Sequence, residues 1–194
     1  MAGGTRSFMA LTLPASALAG AVEVLTTLRD RLGDRDIRWV EAANLHVTLR
    51  FFGDLDDPDL ARARQLVREL DRGFAPLPTV WERLGAFPSP QRVQVVWLGL
   101  HDADERIAGL AADVDRRTQQ AGLGGADKPF KSHVTLGRVR RERRASFDRM
   151  SERLTIPATG FSIATIVLMK SMLTPHGPVY TPLETATARM PDPL

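Results

Sequence analysis

This sequence predicts an α+β fold built by internal duplication, and two observations carry the prediction. The tetrapeptide His-Val-Thr-Leu at 46–49 returns unchanged at 133–136, in a chain of 194 residues with only four histidines. When the sequence is aligned with itself at this separation of 87 positions, its predicted strands and helices also fall into register. A unit that repeats only twice, at so long a period, indicates two lobes rather than a solenoid of short stacked repeats.

Each half is predicted to run strand, helix, His-x-Thr strand, helix, strand. The strands before and after the motifs align as 8–13 with 95–100 and as 80–84 with 167–171. Alternation of strand and helix by itself favours a doubly wound parallel sheet. The turn-rich segment Gly85–Pro90 looks like a hairpin link, however, and it favours antiparallel or mixed sheets. We therefore expect one two-lobed domain over 1–194, whose lobes could exchange terminal strands.

Helices are predicted between the strands, where apolar residues recur at helical spacing. They are Leu18, Val22, Leu25, Leu28 and Leu32 in the first half and Ile107, Leu110 and Val114 in the second. After the first motif, Asp57-Pro58 predicts an N-cap and a first-turn proline for a helix that continues to Leu70. The later counterpart is shorter, around Phe147, Met150 and Leu154.

Composition narrows the chemistry and the setting. The chain has no cysteine, which excludes disulfides and thiolate catalysis, and its formal net charge is +3. The segment 1–7 lacks the apolar core of a signal peptide, and no apolar run reaches membrane-spanning length. We expect a cytoplasmic monomer that makes no membrane contact.

The repeated motif predicts an acid-base site. Because alternate side chains of a strand share a face, His46 lies beside Thr48, and His133 lies beside Thr135. Imidazole titrates near pH values of about 6.5, so one of two facing imidazoles could act as a base and the other as an acid. The hydroxyls are suited to hold non-bridging oxygens of a phosphate. Two matched copies of the motif therefore point to a site for a phosphodiester.

Paired histidines could instead bind a metal ion. The side chains that share a face with them belong to Asn44, Thr48, Lys131 and Thr135, none of which is a carboxylate or a thiolate. The sequence contains neither His-Glu-x-x-His nor Gly-x-Ser-x-Gly. We therefore expect no metal, no cofactor and no serine nucleophile. His101 and His176 lie outside the repeat, and we interpret both as surface residues.

Five arginines follow the second motif closely: Arg138, Arg140, Arg141, Arg143 and Arg144. Guanidinium groups match phosphate oxygens, so the cluster is either a patch that binds a phosphate backbone or a solvated, charged turn. Arg138 is nearest to the motif. Strand alternation directs it away from His133, unless the strand ends or bulges near Gly137.

Four further residues are candidates for substrate contact. Arg50 is expected on the face of the first motif, where it could reach the phosphate or the next nucleotide, and Lys131 is expected on the face of the second motif. Phe8 and Phe130 could stack on a base, although a place in the core is the favoured interpretation for both.

Residues 44–53 and 128–138 resemble the two signature strands of the bacterial and archaeal RNA 2′,3′-cyclic phosphodiesterases, long called 2′-5′ RNA ligases, of the two-histidine phosphoesterase superfamily. Segments 6–11 and 180–183 are similar to the ends of that family. The resemblance implies a bilobal α+β fold. Two mostly antiparallel sheets with outer helices are then related by a pseudo-twofold axis around a positively charged cleft.

The resemblance also implies a metal-independent reaction. One imidazole activates a water that attacks the phosphorus of a terminal 2′,3′-cyclic phosphate, and the other protonates the departing 3′ oxygen, which leaves a 2′-phosphate. The roles implied are His133 as base, His46 as acid, Thr48 and Thr135 on the phosphate oxygens, and Arg138 as the neutralising cation. The same residues could join RNA ends through a 2′-5′ linkage, and a non-catalytic RNA-binding or RNA-processing factor stays open. The expected partner is RNA with a 2′,3′-cyclic phosphate end, or a small cyclic nucleotide.

Overall fold

The computed structural model describes residues 4–140, 146–175 and 177–189, which form strands with a few helices packed outside them. In chain order the elements are β1 (Thr5–Thr12), α1 (Ala15–Leu32), β2 (Ile37–Trp39), a 3-10 turn (Ala42–Asn44), β3 (His46–Leu55), α2 (Asp57–Leu70), β4 (Leu77–Thr79), β5 (Trp81–Ser89), β6 (Arg92–Leu100), α3 (Arg106–Gln120), β7 (His133–Val139), α4 (Phe147–Ser151), β8 (Phe161–Ile163), β9 (Thr165–Thr174) and β10 (Gly177–Thr187).

The strands form two antiparallel halves that meet at the motif strands. Their order is β10-β9-β1-β3-β7-β6-β5, with β2 paired to the end of β7 and a separate pair of β4 with β8. β3 and β7 are joined by one residue pair, Val47 with Val134. β9, from the second repeat, pairs with β1 from the first, while β5 pairs with β6. The predicted α+β class with antiparallel sheets is confirmed, and the two histidine strands lie side by side at its centre.

The helices bury the apolar stripes that the sequence contains. In α1 the buried residues are Ala17, Ala21, Val24, Leu25 and Leu28, and in α3 they include Ile107, Leu110 and Val114. The N-cap of α2 is Asp56, one residue before the predicted Asp57, and its carboxylate accepts a 2.9 Å hydrogen bond from the Asp59 amide. Within the described ranges, no helix combines the length and apolar character needed to cross a membrane.

The predicted hairpin link between two antiparallel strands is present, but its turn is shorter and later than the segment Gly85–Pro90. β5 continues to Ser89 and β6 begins at Arg92, so the turn itself lies at Pro90 and Gln91. Gly85 is a strand residue that the Trp97 ring covers, because a Cβ placed there would lie 2.1 Å from Trp97 Cζ2. The glycine is therefore required for close packing rather than for a turn.

Both motif strands carry a β-bulge at the leucine that ends the motif. On β3, Thr48 pairs with Ala10 and Arg50 with Met9, so Leu49 is the extra residue. On β7, Thr135 pairs with Trp97 and Gly137 with Val96, so Leu136 is the extra residue. One extra residue reverses the alternation of faces. Phe51 and Arg138, the residues two places beyond each leucine, consequently return to the histidine face.

Candidate active site

A cleft of about 500 Å³ lies where the two motif strands meet. It brings together five predicted site residues, which are His46, Thr48, His133, Thr135 and Arg138. Strand β7 bulges beside Gly137, which is the condition under which the sequence predicts that Arg138 faces the cleft. The remaining walls come from β2, the 3-10 turn, and the facing ends of β9 and β10.

In the first half-site, His46 is held on both ring nitrogens. Its Nδ1 lies 2.7 Å from the Asn44 carbonyl oxygen, and its Nε2 lies 3.1 Å from Thr48 Oγ1. A carbonyl only accepts, so Nδ1 carries the hydrogen and the neutral ring presents the Nε2 lone pair to the threonine hydroxyl. The ring stacks on Phe8 with centroids 4.8 Å apart, and it meets the edge of Tyr180 at 5.5 Å.

In the second half-site, His133 has the same backbone anchor but other neighbours. Its Nδ1 donates to the Lys131 carbonyl oxygen at 2.7 Å, which again leaves Nε2 as the acceptor of the neutral ring. Aromatic edges replace the stacked ring, since the centroids of Phe87 and Trp97 lie 5.0 Å and 5.9 Å away. The Lys131 ammonium lies 4.4 Å from the Trp97 ring centroid, so a cation is fixed beside this histidine.

Burial is the main influence on the protonation of both histidines. It lowers the pKa of His46, the hydrogen bond to Asn44 opposes it, and the charge of His133 lowers it further. Burial also lowers the pKa of His133 against the hydrogen bond to Lys131, and the charges of Lys131 and Arg138 add to the lowering. Burial raises the pKa of Tyr180, so its hydroxyl stays protonated in the cleft.

Arg50 is not on the face that the sequence predicts. The bulge at Leu49 turns it to the helix side, where it is 7% exposed and its Nη1 lies 3.2 Å from Asp115 Oδ1 on α3. The expectation that Arg50 shares a face with His46 is therefore wrong. The next residue, Phe51, lines the cleft instead, and it is 58% exposed.

The other three candidates are not among the residues that line the cleft. Phe8 is 1% exposed and its ring stacks on His46, so it offers no free face to a base. Phe130 is partly buried and packs against the core. Lys131 is exposed at the rim beside His133. The favoured core interpretation fits the positions of both phenylalanines.

Sequence reasoning missed Arg38, Phe51 and Tyr180, all of which line the cleft. Phe51 could have been found, because it aligns with Arg138 at the repeat separation of 87 positions. His101 is exposed, as expected of a surface residue. His176, Arg141, Arg143 and Arg144 lie outside the described residues, and the patch interpretation of that arginine cluster stays a prediction. Among the residues described, no group of three or more His, Cys, Asp or Glu is arranged to hold a metal ion.

Two antiparallel halves with one His-x-Thr motif each, facing a common cleft with an arginine, define a two-histidine phosphoesterase. The family model described as "LigT like Phosphoesterase" matches residues 11–97 and again 98–180. The chain therefore belongs to the LigT-like phosphoesterase family. The double match divides the chain into two consecutive units, in agreement with the repeat seen in the sequence.

Named relatives cover almost the whole chain. The RNA 2′,3′-cyclic phosphodiesterase of Methanothermobacter thermautotrophicus is 31% identical over 92% of this chain and 96% of its own length. The protein of the same name from Thermus thermophilus is 34% identical over 95% and 90%. The crystal structure of TT0787 from Thermus thermophilus has a TM-score of 0.78 at 29% identity, covering 95% of this chain and 98% of its own. E. coli LigT complexed with 3′-AMP has the same fold, with a TM-score of 0.73 at 22% identity over 96% and 99%.

Proposed function

We propose that this protein hydrolyses 2′,3′-cyclic phosphate ends of RNA to 2′-phosphates. The observation that carries the proposal is the pair of His-x-Thr half-sites around one cleft with Arg138. The relatives named RNA 2′,3′-cyclic phosphodiesterase support the choice of substrate, because they match over nearly their full length. Small cyclic nucleotides contain the same reacting group and are expected to be substrates as well.

The reaction needs two proton transfers, one from the attacking water and one to the departing 3′ oxygen. A water gives a proton to one imidazole while its oxygen forms the new bond to phosphorus. The bond from phosphorus to the 3′ oxygen breaks, and that oxygen takes a proton from the other imidazole. Thr48 and Thr135 donate hydrogen bonds to the non-bridging oxygens, and Arg138 offsets the charge that develops on them. After the reaction the base is protonated and the acid is neutral. A proton exchange with solvent then restores the starting protonation states.

The surroundings of the histidines support one assignment of roles. A base must start neutral, and the charges of Lys131 and Arg138 both act against protonation of His133. His46 is surrounded by Phe8 and Tyr180, and the charge that lowers its pKa is that of the other histidine. Burial lowers the pKa of both histidines, and the fixed charges of Lys131 and Arg138 act on His133 in addition. We assign His133 as the base and His46 as the acid.

Phe51 is the natural contact for the nucleobase. Its ring is exposed in the cleft and is tilted against Phe8 with centroids 5.6 Å apart, so one face is supported and the other is open. Stacking on an aromatic ring holds any base without sequence preference. The first half-site then binds the base at the position where the second binds the phosphate.

We also infer a monomer in the cytoplasm that acts as one two-lobed domain. The pairing of β9 with β1 and of β5 with β6 supports one domain, because strands from different repeats are neighbours. The absence of cysteine suits a reducing compartment. Light scattering on the purified protein tests the oligomeric state.

The deciding assay uses an oligoribonucleotide that ends in a 2′,3′-cyclic phosphate, incubated with protein that has been exhaustively treated with chelator. We expect hydrolysis to continue, because no carboxylate or thiolate lies beside the motif histidines in the sequence. The position of the phosphate on the product is then determined. A 3′-phosphate product, or activity that disappears with chelator and returns with a divalent ion, would contradict the proposal.

A further inference from the structure

Two arginines lie side by side in the cleft. Arg38 on β2 pairs directly with Arg138 on β7. Residues directly opposite in antiparallel strands present their side chains on the same face, with Cα atoms roughly 4.5–5.5 Å apart. Both side chains are exposed, and both line the cleft. The proposed hydrolysis uses Arg138 alone, so Arg38 has no part in the reaction as described above.

The pair places two positive charges on neighbouring strands of the cleft. Like charges directly opposite on neighbouring strands repel each other. In the part of the chain that the structure describes, neither guanidinium belongs to an ion pair with a carboxylate. Glu41 also lines the cleft, but it is not ion-paired with either arginine. An anionic ligand that spans both arginines would relieve this repulsion.

Arg38 is held in place for such a ligand. Its Nη2 donates a 2.9 Å hydrogen bond to the Pro175 carbonyl oxygen at the end of β9, on the opposite wall of the cleft. A guanidinium has five N–H donors in a planar fork, so one bond to a carbonyl leaves a paired edge for phosphate oxygens. The contact fixes the direction of the side chain and keeps its charge available.

We propose that Arg38 binds the internal phosphodiester that precedes the terminal cyclic phosphate of an RNA chain. The inference rests on the proposed function, since Arg138 and the threonines already hold the terminal phosphate. A second guanidinium next to Arg138 matches a second phosphate next to the first. The subsite makes the protein favour RNA ends over cyclic mononucleotides, which have a single phosphate.

A binding experiment tests the subsite without relying on turnover. Its probes are a nucleoside 2′-phosphate and a dinucleotide that ends in a 2′-phosphate, titrated calorimetrically at several salt concentrations. Each phosphate contact to a single strand contributes about 0.7 to the slope of log affinity against log salt. We expect Arg38→Gln to lower the slope for the dinucleotide by about that amount and to leave the slope for the mononucleotide as it is in the wild type. Arg38→Lys keeps the charge and is expected to keep the slope.

Kinetics provide the second arm. The substrates are a cyclic mononucleotide and two dinucleotides with cyclic phosphate ends, one with a normal internal linkage and one with an uncharged methylphosphonate. For Arg38→Gln we expect the ratio of kcat/KM between normal dinucleotide and mononucleotide to fall about ten-fold at low salt. The methylphosphonate is expected to lower the wild-type ratio similarly. Arg83→Gln is the matched control, because Arg83 is an exposed strand arginine outside the cleft lining.

The outcomes separate the two proposals. An unchanged salt slope in Arg38→Gln, or an equal loss on mononucleotide and dinucleotide, overturns the internal phosphate site; the equal loss would mean that Arg38 only fixes the wall through Pro175. A wild-type protein that hydrolyses no cyclic phosphate overturns the proposed function. If its dinucleotide slope still depends on Arg38, the phosphate subsite stands without the hydrolysis.

Discussion

The two half-sites share the motif and its backbone geometry, and they differ in the side chains that surround each histidine. Each histidine has its Nδ1 on a backbone carbonyl two residues earlier, at 2.7 Å in both cases, and each strand bulges at the motif leucine. His46 then meets a stacked phenylalanine and a tyrosine edge, whereas His133 meets two aromatic edges and two cations. The duplicated strand supplies equivalent proton carriers, and the neighbouring strands make them different. Opposite roles therefore do not require different motifs.

Removal of one histidine at a time is expected to have the largest effect on turnover. We expect His46→Ala and His133→Ala each to lower turnover by roughly two to four orders of magnitude, as for loss of a general acid or base. The double variant is expected to lose far less than the product of the two, because the residues act as a unit. A substrate with an activated leaving group needs little protonation, so it is expected to rescue His46→Ala selectively. Rescue of His133→Ala instead would reverse the assignment.

Arg138 and Phe51 occupy equivalent positions in the two half-sites. Replacing either one is expected to have the next largest effect on the kinetics. Arg138→Ala is expected to lower kcat/KM on a cyclic mononucleotide by roughly ten-fold to a hundred-fold, because a charge-assisted contact to the phosphate is lost. Phe51→Ala is expected to raise KM by about ten-fold, the value of one stacked base, with a smaller change in kcat. Circular dichroism controls for folding. Unchanged kinetics on the small substrate in Arg138→Ala would remove that residue from the site.

The outer arginines of the same cluster are predicted to act on longer RNA only. Arg143→Ala and Arg144→Ala are expected to weaken binding of longer RNA at low salt, by less than about ten-fold, and to leave cyclic mononucleotides unaffected, because distant charges are screened. Binding to a long and a short oligonucleotide at two salt concentrations measures this difference. Equal effects on both lengths would mean that the cluster contributes to the site itself.

The smallest expected effect is on the pH dependence of the rate, which tests the electrostatic difference between the two histidines. The rate on a cyclic phosphate is expected to follow a bell in pH, whose limbs belong to the coupled pair. The acidic limb reports protonation of the base, and burial lowers the pKa of His133, so this limb is expected below about pH 6.5. Lys131→Met removes a nearby charge that lowers this pKa, so the limb is expected to move to higher pH. A shift to lower pH would contradict the role given to Lys131.

The repeat and its chemistry could be predicted because they are local. The motif at His46 and His133 is visible in the letters, and alternation correctly places each threonine beside its histidine. The same rule failed at Arg50, because the extra residue of a bulge is defined by pairing with another strand. Only the partner strands β1 and β6 show that Leu49 and Leu136 are skipped.

Residues supplied by distant segments were beyond the sequence for a related reason. Arg38 reaches the cleft because β2 pairs with β7 of the other repeat. Tyr180 meets His46 because β9 and β10 extend the sheet on the far side of β1. Neither contact follows from periodicity along the chain. The ion pair of the buried Arg50 with Asp115 likewise joins a strand to a helix far away in sequence.

The pairing of β9 with β1 also sets the order of events when the chain folds. Leu11 is synthesised long before Ile166, its neighbour in the sheet. A ribosome adding roughly 5–20 residues per second releases that partner only many seconds later. Contacts of such high sequence separation slow folding because loop closure precedes any gain from pairing. During synthesis the edge of β1 therefore stays open, and the cleft cannot be completed until the C-terminal strands have emerged.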